Sequence, residues 1–555
     1  MRRIVSWILP VMIWAGCKKG SEDPTPPPPT PVNFNLTSWS VNNVASLSGY
    51  YNVNRSPVVK LKFGAAIDKS TVSANIIFKE NSGSTVNCNV TYENSDSIVV
   101  LQPSSPLNYL TKYKVSVINQ LKSTNGGKLI SGSEFTLLTW IDSSRKFPAL
   151  IDNELLDKIQ QQTFKYFWDF AHPVSGLARE RSNGDNEVVT SGGSGFGIMA
   201  IPVAINRNFI TRAEGLARMQ KIVGFLKAIP PRFHGAFSHW MNGTTGAVVP
   251  FSANDNGADL VETSYLMMGL LTARQFFNGA DPAETTLRND INTLWNEVEW
   301  DWFRQNGKKV LYWNWSQNFG WAVNVPIQGW NECLITYVLA ASSPTHSIPK
   351  PVYDSGYARN GAMVNNNTYY GYQLPLGPNL GGPLFFEHYS FLGIKPNGLS
   401  DTYANYQTQT TNHTLINYNY CKTNPANHFG YSDSVWGLTA SDIPGGYTAS
   451  SPTNDVGVIA PTAAISSLPY TFNESMKALK FFYYVLGDRL WGQYGFRDAF
   501  SLEYPWFADS YLAIDQGPII LMIENYRTGL LWNLFTSCPE VKAGMVALGF
   551  NAPYL

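Results

Sequence analysis

The chain of 555 residues is too long for a single hydrophobic core, so the sequence predicts at least two domains. Its 40 Lys and Arg residues balance 40 Asp and Glu residues, which gives no electrostatic reason to expect binding to nucleic acid or to an acidic membrane surface. Charged residues make up only 14% of the chain and aromatic residues also 14%, a balance that favours an uncharged, hydroxyl-covered ligand such as carbohydrate, although aromatic residues also fill helical cores.

Residues 1–17 have the pattern of a targeting segment. Arg2 and Arg3 are followed by an apolar run over residues 4–14 and by small residues before Cys17, and that run is too short to span a bilayer. The segment resembles a bacterial lipoprotein signal peptide. The resemblance implies cleavage before Cys17, a lipid anchor on that cysteine, and an exported protein held at the periplasmic or cell-surface side of the envelope.

Residues 18–31 are polar and then proline-rich, which is typical of a semi-rigid spacer. Residues 32–140 contain short β-branched runs such as VVKLKF and YKVSVI, separated by glycine- and asparagine-rich turn signals. This spacing predicts an antiparallel β sandwich. The segment resembles the bacterial Ig-like modules attached to surface enzymes, and it is expected to act as a spacer or as a weak glycan-binding module.

From residue 145 to residue 555 the apolar periodicity is helical, and about a dozen helices can be fitted, joined by long loops rich in Gly, Asn, Tyr and Trp. The helix that begins near residue 258 can be capped by Asp255 or Asn256. A ring of helical hairpins, the (α/α)6 toroid, fits this count, as does an irregular bundle. The predicted helices cover residues 154–171, 195–206, 211–228, 258–277, 284–303, 329–341, 461–468 and 473–486, with further helices after Asp509.

The chain carries no sequence motif for a metal protease, a phosphate-binding loop or a serine hydrolase. The glycine-rich run GGSGFG at residues 192–197 lacks a preceding strand, so it is predicted to form a tight turn before a helix. The seven His residues show no metal-ligand spacing, and neither a metal nor a cofactor is expected. Four cysteines remain beside Cys17, and nothing in their spacing specifies a disulfide pair.

Four carboxylate settings are unusual for structural residues. Asp259 and Glu262 lie one turn apart at a helix start, and Glu332 lies beside a tryptophan on an apolar helix. Asp515 precedes a Gly-Pro pair that can break a helix and present it to a cavity, and Glu387 follows an apolar run. Apolar surroundings raise a carboxyl pKa, which a general acid requires, but each group could instead be a buried structural acid paired with arginine.

Aromatic faces stack on sugar rings, while arginine and carboxylate groups bond to hydroxyls. The side chains expected to bind sugar are Arg179, Trp240, Trp313, Trp330, Glu387, Arg497 and Trp506.

Five long segments in order, among them QQTFKYFWDFAHPVSGLARERSN, ADLVETSYLMMGLL and LAIDQGPIILMIENYRTGLLW, resemble the glycoamylase-like domain, and more closely glycoside hydrolase family 144, the endo-β-1,2-glucanases. The resemblance covers residue 150 to the C-terminus. It implies an (α/α)6 toroid and an inverting hydrolase that releases sophoro-oligosaccharides from linear β-1,2-glucan. Family relatives also include exo-acting enzymes. The resemblance places the acidic site residues at Asp259, Glu262, Glu332 and Asp515.

Within that assignment, Asp515 is predicted to stay ionised in a wet cavity and to activate water, because it lies beside the Gly-Pro pair. Glu332 is predicted to be the proton donor, because a mid-helix apolar setting desolvates it. Asp259 and Glu262 are then expected to hold sugar hydroxyls and to orient the acid. The alternatives are a non-catalytic glycan-binding lipoprotein, a glucoamylase-type hydrolase acting on another glucan, and a polysaccharide lyase, against which the neutral composition argues.

Overall fold

A computed structural model describes residues 30–46 and 49–555. The chain divides into two compact units, with the boundary between Trp140 and Ile141. The predicted signal segment, the predicted lipid site Cys17 and most of the proline-rich spacer lie outside the described residues.

The first unit is a β sandwich of two four-stranded sheets. One sheet has the strand order β1-β3-β6-β5 and is antiparallel throughout; the other has the order β2-β8-β7-β4, in which only the β2–β8 pair is parallel. The strands are β1 (Leu36–Val41), β2 (Tyr50–Val53), β3 (Val59–Phe63), β4 (Ile76–Glu80), β5 (Cys88–Glu93), β6 (Ile98–Pro103), β7 (Lys112–Val117) and β8 (Ser133–Thr139).

Alternating side chains of both sheets meet in one hydrophobic core. Along β3, Val59, Leu61 and Phe63 are buried while Lys60 and Lys62 point outward, which is the period-two pattern of a half-buried strand. The strand runs predicted from the sequence therefore form an all-β sandwich, but it is not antiparallel throughout as predicted, because β2 pairs with β8 in parallel.

The second unit is helical, as predicted. Among the described residues it contains twelve α-helices of at least five residues, and none of them combines the length and apolar character needed to cross a bilayer. They are α1 (Asp152–Trp168), α2 (Ser191–Asn206), α3 (Arg212–Ala228), α4 (Leu260–Phe276), α5 (Pro282–Asn296), α6 (Leu334–Ser342), α7 (Tyr406–Thr423), α8 (Pro461–Ile465), α9 (Phe472–Tyr484), α10 (Ala513–Thr528), α11 (Leu530–Thr536) and α12 (Pro539–Leu548).

Three buried helices, α2, α4 and α10, form the centre of this unit, and α2 packs against both of the others. The predicted tight turn at residues 192–197 is wrong, because GGSGFG lies inside α2. Its glycines allow close helix packing: a Cβ on Gly195 would lie 2.2 Å from the carbonyl oxygen of Tyr265, and one on Gly269 would lie 2.3 Å from that of Gly195. The glycine run therefore fixes the distance between α2 and α4.

Two further predictions about helices fail for physical reasons. Helix α6 begins at Leu334, so Glu332 lies in the preceding turn and not in mid-helix. Helix α10 continues through Gly517 and Pro518, so the Gly-Pro pair does not break it. The sequence does not predict helix α7, because that segment is rich in Thr, Asn and Gln and lacks an apolar stripe.

Candidate active site

A cavity of about 360 Å³ lies in the helical unit and combines carboxylates, aromatic rings and one arginine. Its walls come from the loops before α2, α4 and α10 and from the Ala440–Ile443/Gly446–Ala449 hairpin. The side chains at its surface are Glu180, Arg181, Thr190, His239, Trp240, Phe251, Glu262, Tyr389, Tyr447, Leu512 and Ile514.

Glu262 reaches this cavity from the first turn of α4. Its Oε2 atom accepts a hydrogen bond from the backbone N–H of Gly192 at 2.8 Å and one from Thr190 Oγ1 at 3.4 Å. A Cβ on Gly192 would lie 2.4 Å from that oxygen, so only glycine leaves room for the contact. Burial raises the pKa of Glu262, although His239 opposes the shift. The carboxyl group is therefore held in place, with burial favouring its protonated form and the His239 cation favouring its charged form.

Asp259 does not face the cavity, contrary to the prediction that it grips sugar hydroxyls. It is the cap of α4, a role predicted for Asp255 or Asn256: its Oδ1 accepts the backbone N–H of Glu262 at 2.9 Å. Its Oδ2 lies 2.9 Å from Nδ1 of His239. Both oxygens are thus engaged, and Asp259 orients two neighbouring side chains of the site.

His239 contacts Asp259 at the cavity wall, but the sequence did not predict it as a site residue. Removal from bulk water disfavours its charge, but the Glu262 and Asp259 carboxylates outweigh this and raise the pKa of the imidazole to about 9. At neutral pH, His239 is therefore a cation at the cavity wall, and its Nδ1–H donates to Asp259. Phe251 lies against the imidazole with ring centroids 4.2 Å apart, and Trp240 packs edge-on.

Glu332 lies in the turn before α6, and its backbone carbonyl accepts hydrogen bonds from Ser390 and Tyr265. Burial raises the pKa of its carboxyl group to about 7, and the Glu262 and Asp259 carboxylates add to this increase. The predicted cause, desolvation, is correct although the predicted position in mid-helix is wrong. Glu332 and Glu262 therefore belong to one electrostatic group.

A second acidic group surrounds Asp515 near the start of α10. A β bridge between Arg181 and Leu512 brings the arginine next to this helix. Arg181 Nη2 lies 2.6 Å and 2.7 Å from the two carboxylate oxygens of Asp442. The backbone N–H of Asp442 in turn donates to Asp498 Oδ2 at 2.7 Å.

Asp515 is 2% exposed, which contradicts the expectation of an ionised carboxylate in a wet cavity. Burial raises the pKa of Asp515 well above its ordinary value, and the neighbouring Asp498 and Asp442 carboxylates add to the shift while Arg181 opposes it. Ile514, next to Asp515 in the chain, contacts the cavity. Burial raises the pKa of the cavity residues Tyr389 and Tyr447, and a negative charge on Asp515 raises it further. Asp515 thus lies behind the cavity wall.

Of the predicted sugar-binding side chains, only Trp240 faces the cavity. Arg179 bonds to the carbonyls of Asn186 and Phe170, and Arg497 bonds to that of Ala508. Trp313 packs against the main core, and its backbone carbonyl accepts the N–H of Leu260. Trp506 is part of the Phe500–Ser501/Trp506–Phe507 hairpin, outside the cavity wall.

Glu387 and Trp330 form a buried structural network, and the prediction that they bind substrate is not supported. Trp330 Nε1, Gln409 Nε2 and His413 Nδ1 all lie 2.8–2.9 Å from Glu387 Oε1. Gln409 and His413 lie on the polar helix α7, so this network explains why that helix is buried despite its polar sequence.

No group of three or more His, Cys, Asp or Glu side chains is placed to hold a metal ion anywhere in residues 30–46 and 49–555. Cys88 is half-buried and Cys333, Cys421 and Cys538 are buried, each as a free thiol.

Comparison with known proteins relates both units to described families. Residues 37–139 match the bacterial Ig-like domain, and residues 324–539 match the glycoamylase family, described as "Putative glucoamylase". The same name is carried by a solved structure from Bacteroides uniformis, which is 56% identical, covers 74% of this chain and 100% of its own, and has a TM-score of 0.73. An endo-β-1,2-glucanase from Chitinophaga pinensis, solved with sophorotriose and glucose, is 51% identical over 73% of this chain and 100% of its own, with a TM-score of 0.72.

The chain belongs to the glycoamylase-like family that includes the β-1,2-glucanases of glycoside hydrolase family 144. A curated relative, an exo-β-1,2-glucooligosaccharide sophorohydrolase acting at the non-reducing end, comes from Parabacteroides distasonis and is 44% identical over 455 residues. That alignment covers 78% of this chain and 61% of the curated relative.

Proposed function

We propose that this protein is a glycoside hydrolase that cleaves β-1,2-glucan and releases sophoro-oligosaccharides. The observation that supports it most is the cavity itself, where Glu262 faces an aromatic wall formed by Trp240 and Phe251. Glu332 does not line the cavity, but its carboxyl group interacts electrostatically with that of Glu262. Rings bind the apolar faces of sugars, and protonated carboxyl groups can donate to a glycosidic oxygen. The Parabacteroides distasonis sophorohydrolase and the Chitinophaga pinensis glucanase are both named for β-1,2-linked glucans or glucooligosaccharides.

The proposed mechanism is an inverting displacement by two carboxyl groups. Glu332 is the proposed general acid, because its raised pKa of about 7 keeps a proton available near neutral pH. Asp515 is the proposed base that takes a proton from the attacking water. Glu262 and the His239 cation hold sugar hydroxyls, and Asp259 orients both of them.

The proposed architecture of the helical unit is an (α/α)6 toroid over residues 145–555. Twelve α-helices of at least five residues among the described ones support this architecture. The buried α2, α4 and α10 would be three of its inner helices, and their N-terminal ends carry Thr190, Glu262 and Ile514 of the cavity wall.

Cleavage of linear β-1,2-glucan by the purified full chain tests the proposal, with starch as the matched polymer. Sophoro-oligosaccharides from β-1,2-glucan and no products from starch are expected. Release of glucose from starch alone would instead establish a glucoamylase, the activity that the family description names. Tight glucan binding without any products would establish a glycan-binding protein.

The relatives include an exo-acting and an endo-acting enzyme, so the products also distinguish the cleavage mode. We propose endo cleavage, which shortens long chains early and gives a mixture of sophoro-oligosaccharides. Exo cleavage would release one oligosaccharide length from the start of the reaction.

We also propose that the protein is an exported lipoprotein anchored to the cell envelope through Cys17, with the β sandwich as a spacer. The apolar run before Cys17 and the proline-rich stretch after it support this. Labelling with a radioactive fatty acid should mark the full chain and not a Cys17→Ser variant. Equal labelling of both would contradict lipidation at Cys17.

A further inference from the structure

Asp498 and Asp515 are two buried carboxyl groups of the acidic group behind the cavity wall. Each residue is 2% exposed, and Asp498 Oδ1 and Asp515 Oδ2 have no N–H or O–H partner. Two ionised carboxylates at such a site would repel each other in surroundings of low polarity. A single proton shared between the two side chains would replace that repulsion by a hydrogen bond, and the Asp498 carboxylate already raises the pKa of Asp515.

The neighbours of the pair favour one charge and one proton. The other oxygen of Asp498 already accepts the backbone N–H of Asp442, which stabilises a negative charge on Asp498. Arg181, the nearby cation, is bound by both carboxylate oxygens of Asp442. Arg181 is therefore already paired with Asp442, and a shared proton would reduce the charge of the dyad further.

We propose that Asp498 and Asp515 form a proton-sharing dyad, in which Asp498 is a positioning residue that keeps Asp515 competent as a base. The proposal rests on the hydrolase function proposed above and adds to it a residue outside the predicted acidic set. A dyad with one proton and one negative charge can still accept a second proton. This resolves the conflict between the burial of Asp515 and its proposed role as base.

The proton balance of the step is simple. An O–H bond of water breaks, its proton passes to Asp515, and the water oxygen forms a bond to the anomeric carbon. The shared proton moves onto Asp498 at the same time. The bond from the anomeric carbon to the glycosidic oxygen breaks, and that oxygen takes its proton from Glu332. The dyad has then gained one proton and Glu332 has lost one, and exchange with solvent restores both.

The titration of the dyad depends on groups from several elements. Burial raises the pKa of both Asp498 and Asp515, the Asp442 carboxylate adds to the shift, and Arg181 opposes it. The charged and titratable groups that interact with the dyad are Arg181, Asp442, Tyr166, Tyr389 and Tyr447.

Infrared spectroscopy of the full chain tests for the shared proton without using activity. At a pH above the ordinary range of carboxyl groups, the wild-type protein should keep the C=O stretch of a protonated carboxyl group. That band should lose intensity in Asp498→Asn and equally in Asp515→Asn, because either change leaves one carboxylate with no proton to share. Asp509→Asn, at an exposed carboxylate bonded by Asn183, should leave the band unchanged.

A band that keeps its full intensity in both dyad variants would overturn the proposal. Each variant gives this reading separately, so a folding failure of one leaves the other. The amide oxygen that Asp498→Asn introduces can still accept the backbone N–H of Asp442, which favours folding of that variant.

The pH profile gives the second readout. In Asp498→Asn the acidic limb of kcat/KM should move to higher pH, because an amide N–H stabilises the Asp515 carboxylate less than a carboxyl O–H does. An unchanged limb would assign Asp498 a purely structural role and contradict the proposal. If Asp515→Asn keeps full activity while the infrared band is lost, the dyad stands and the proposed base is wrong.

Discussion

The imidazole of His239 lies 2.9 Å from the carboxylate of Asp259, and together they connect the cavity wall to the cap of helix α4. Asp259 fixes the first turn of the helix that carries Glu262, and the same carboxylate orients the His239 cation. One buried aspartate thus sets the positions of an acid and a cation at the cavity.

The first prediction concerns the charge of His239. Its pKa is raised from 6.5 to about 9, so its contribution to stability is fully present below pH 6.5 and is lost as the pH rises through 9. The difference in melting temperature between wild type and His239→Gln should therefore shrink over this interval. A difference that stays constant would mean that the ion pair is absent. His346→Gln, which removes a contact with Asp301 outside the cavity, controls for loss of an imidazole.

The second prediction separates Glu332 from Glu262. If Glu332 is the acid, wild-type kcat/KM should fall as the pH rises through about 7, because the proton is then lost. Glu332→Gln should lack this alkaline limb, and substrates with an activated leaving group should restore its turnover. The two roles are reversed if Glu262→Gln, and not Glu332→Gln, shows this behaviour.

The elements carried by strong apolar periodicity could be predicted from the sequence, and the polar ones could not. The strands of the β sandwich and helices such as α4 follow from alternation and helical spacing. Helix α7 could not be predicted because its buried face includes polar residues such as Gln409 and His413, whose hydrogen-bond partners lie far away in sequence.

The residues of the candidate site, too, could be predicted from the sequence only in part. Glu332 and Asp515 stood out as carboxylates in apolar segments; Asp515 is buried and Glu332 half-buried, and the pKa of both is raised as that pattern suggests. Their surroundings depend on residues distant in sequence, so the conclusion that Asp515 stays ionised failed. His239 gave no signal, because a single histidine in a loop is common; its Asp259 partner lies 20 residues away and becomes visible only in the fold.

The third prediction concerns the close contact between α2 and α4. Gly195→Ala should lower the free energy of unfolding by about 1–3 kcal/mol, because its Cβ would overlap the backbone of Tyr265. Gly224→Ala is the matched control: this glycine lies exposed in helix α3 with no atom near its Cβ position. It should raise the stability by about 0.4–1 kcal/mol. Equal effects in denaturant titrations would contradict the packing described here.

The fourth prediction concerns sugar binding by the aromatic wall. Trp240→Ala should raise KM for the glucan roughly tenfold with little change in kcat, because loss of one stacked ring costs about 1–1.5 kcal/mol. Trp506→Ala removes an indole that lies outside the cavity and should leave KM unchanged. A larger effect at Trp506 than at Trp240 would place the sugar elsewhere.

The most direct test of the central claim is the configuration of the first product, followed by proton NMR as the full chain cleaves linear β-1,2-glucan. An inverting two-carboxylate mechanism turns a β linkage into an α-configured reducing end, so the α-anomer signal should rise before mutarotation begins. Asp515→Asn should abolish this signal, and Trp506→Ala should keep it. Initial release of the β-anomer, or undiminished turnover by Asp515→Asn, would contradict the account.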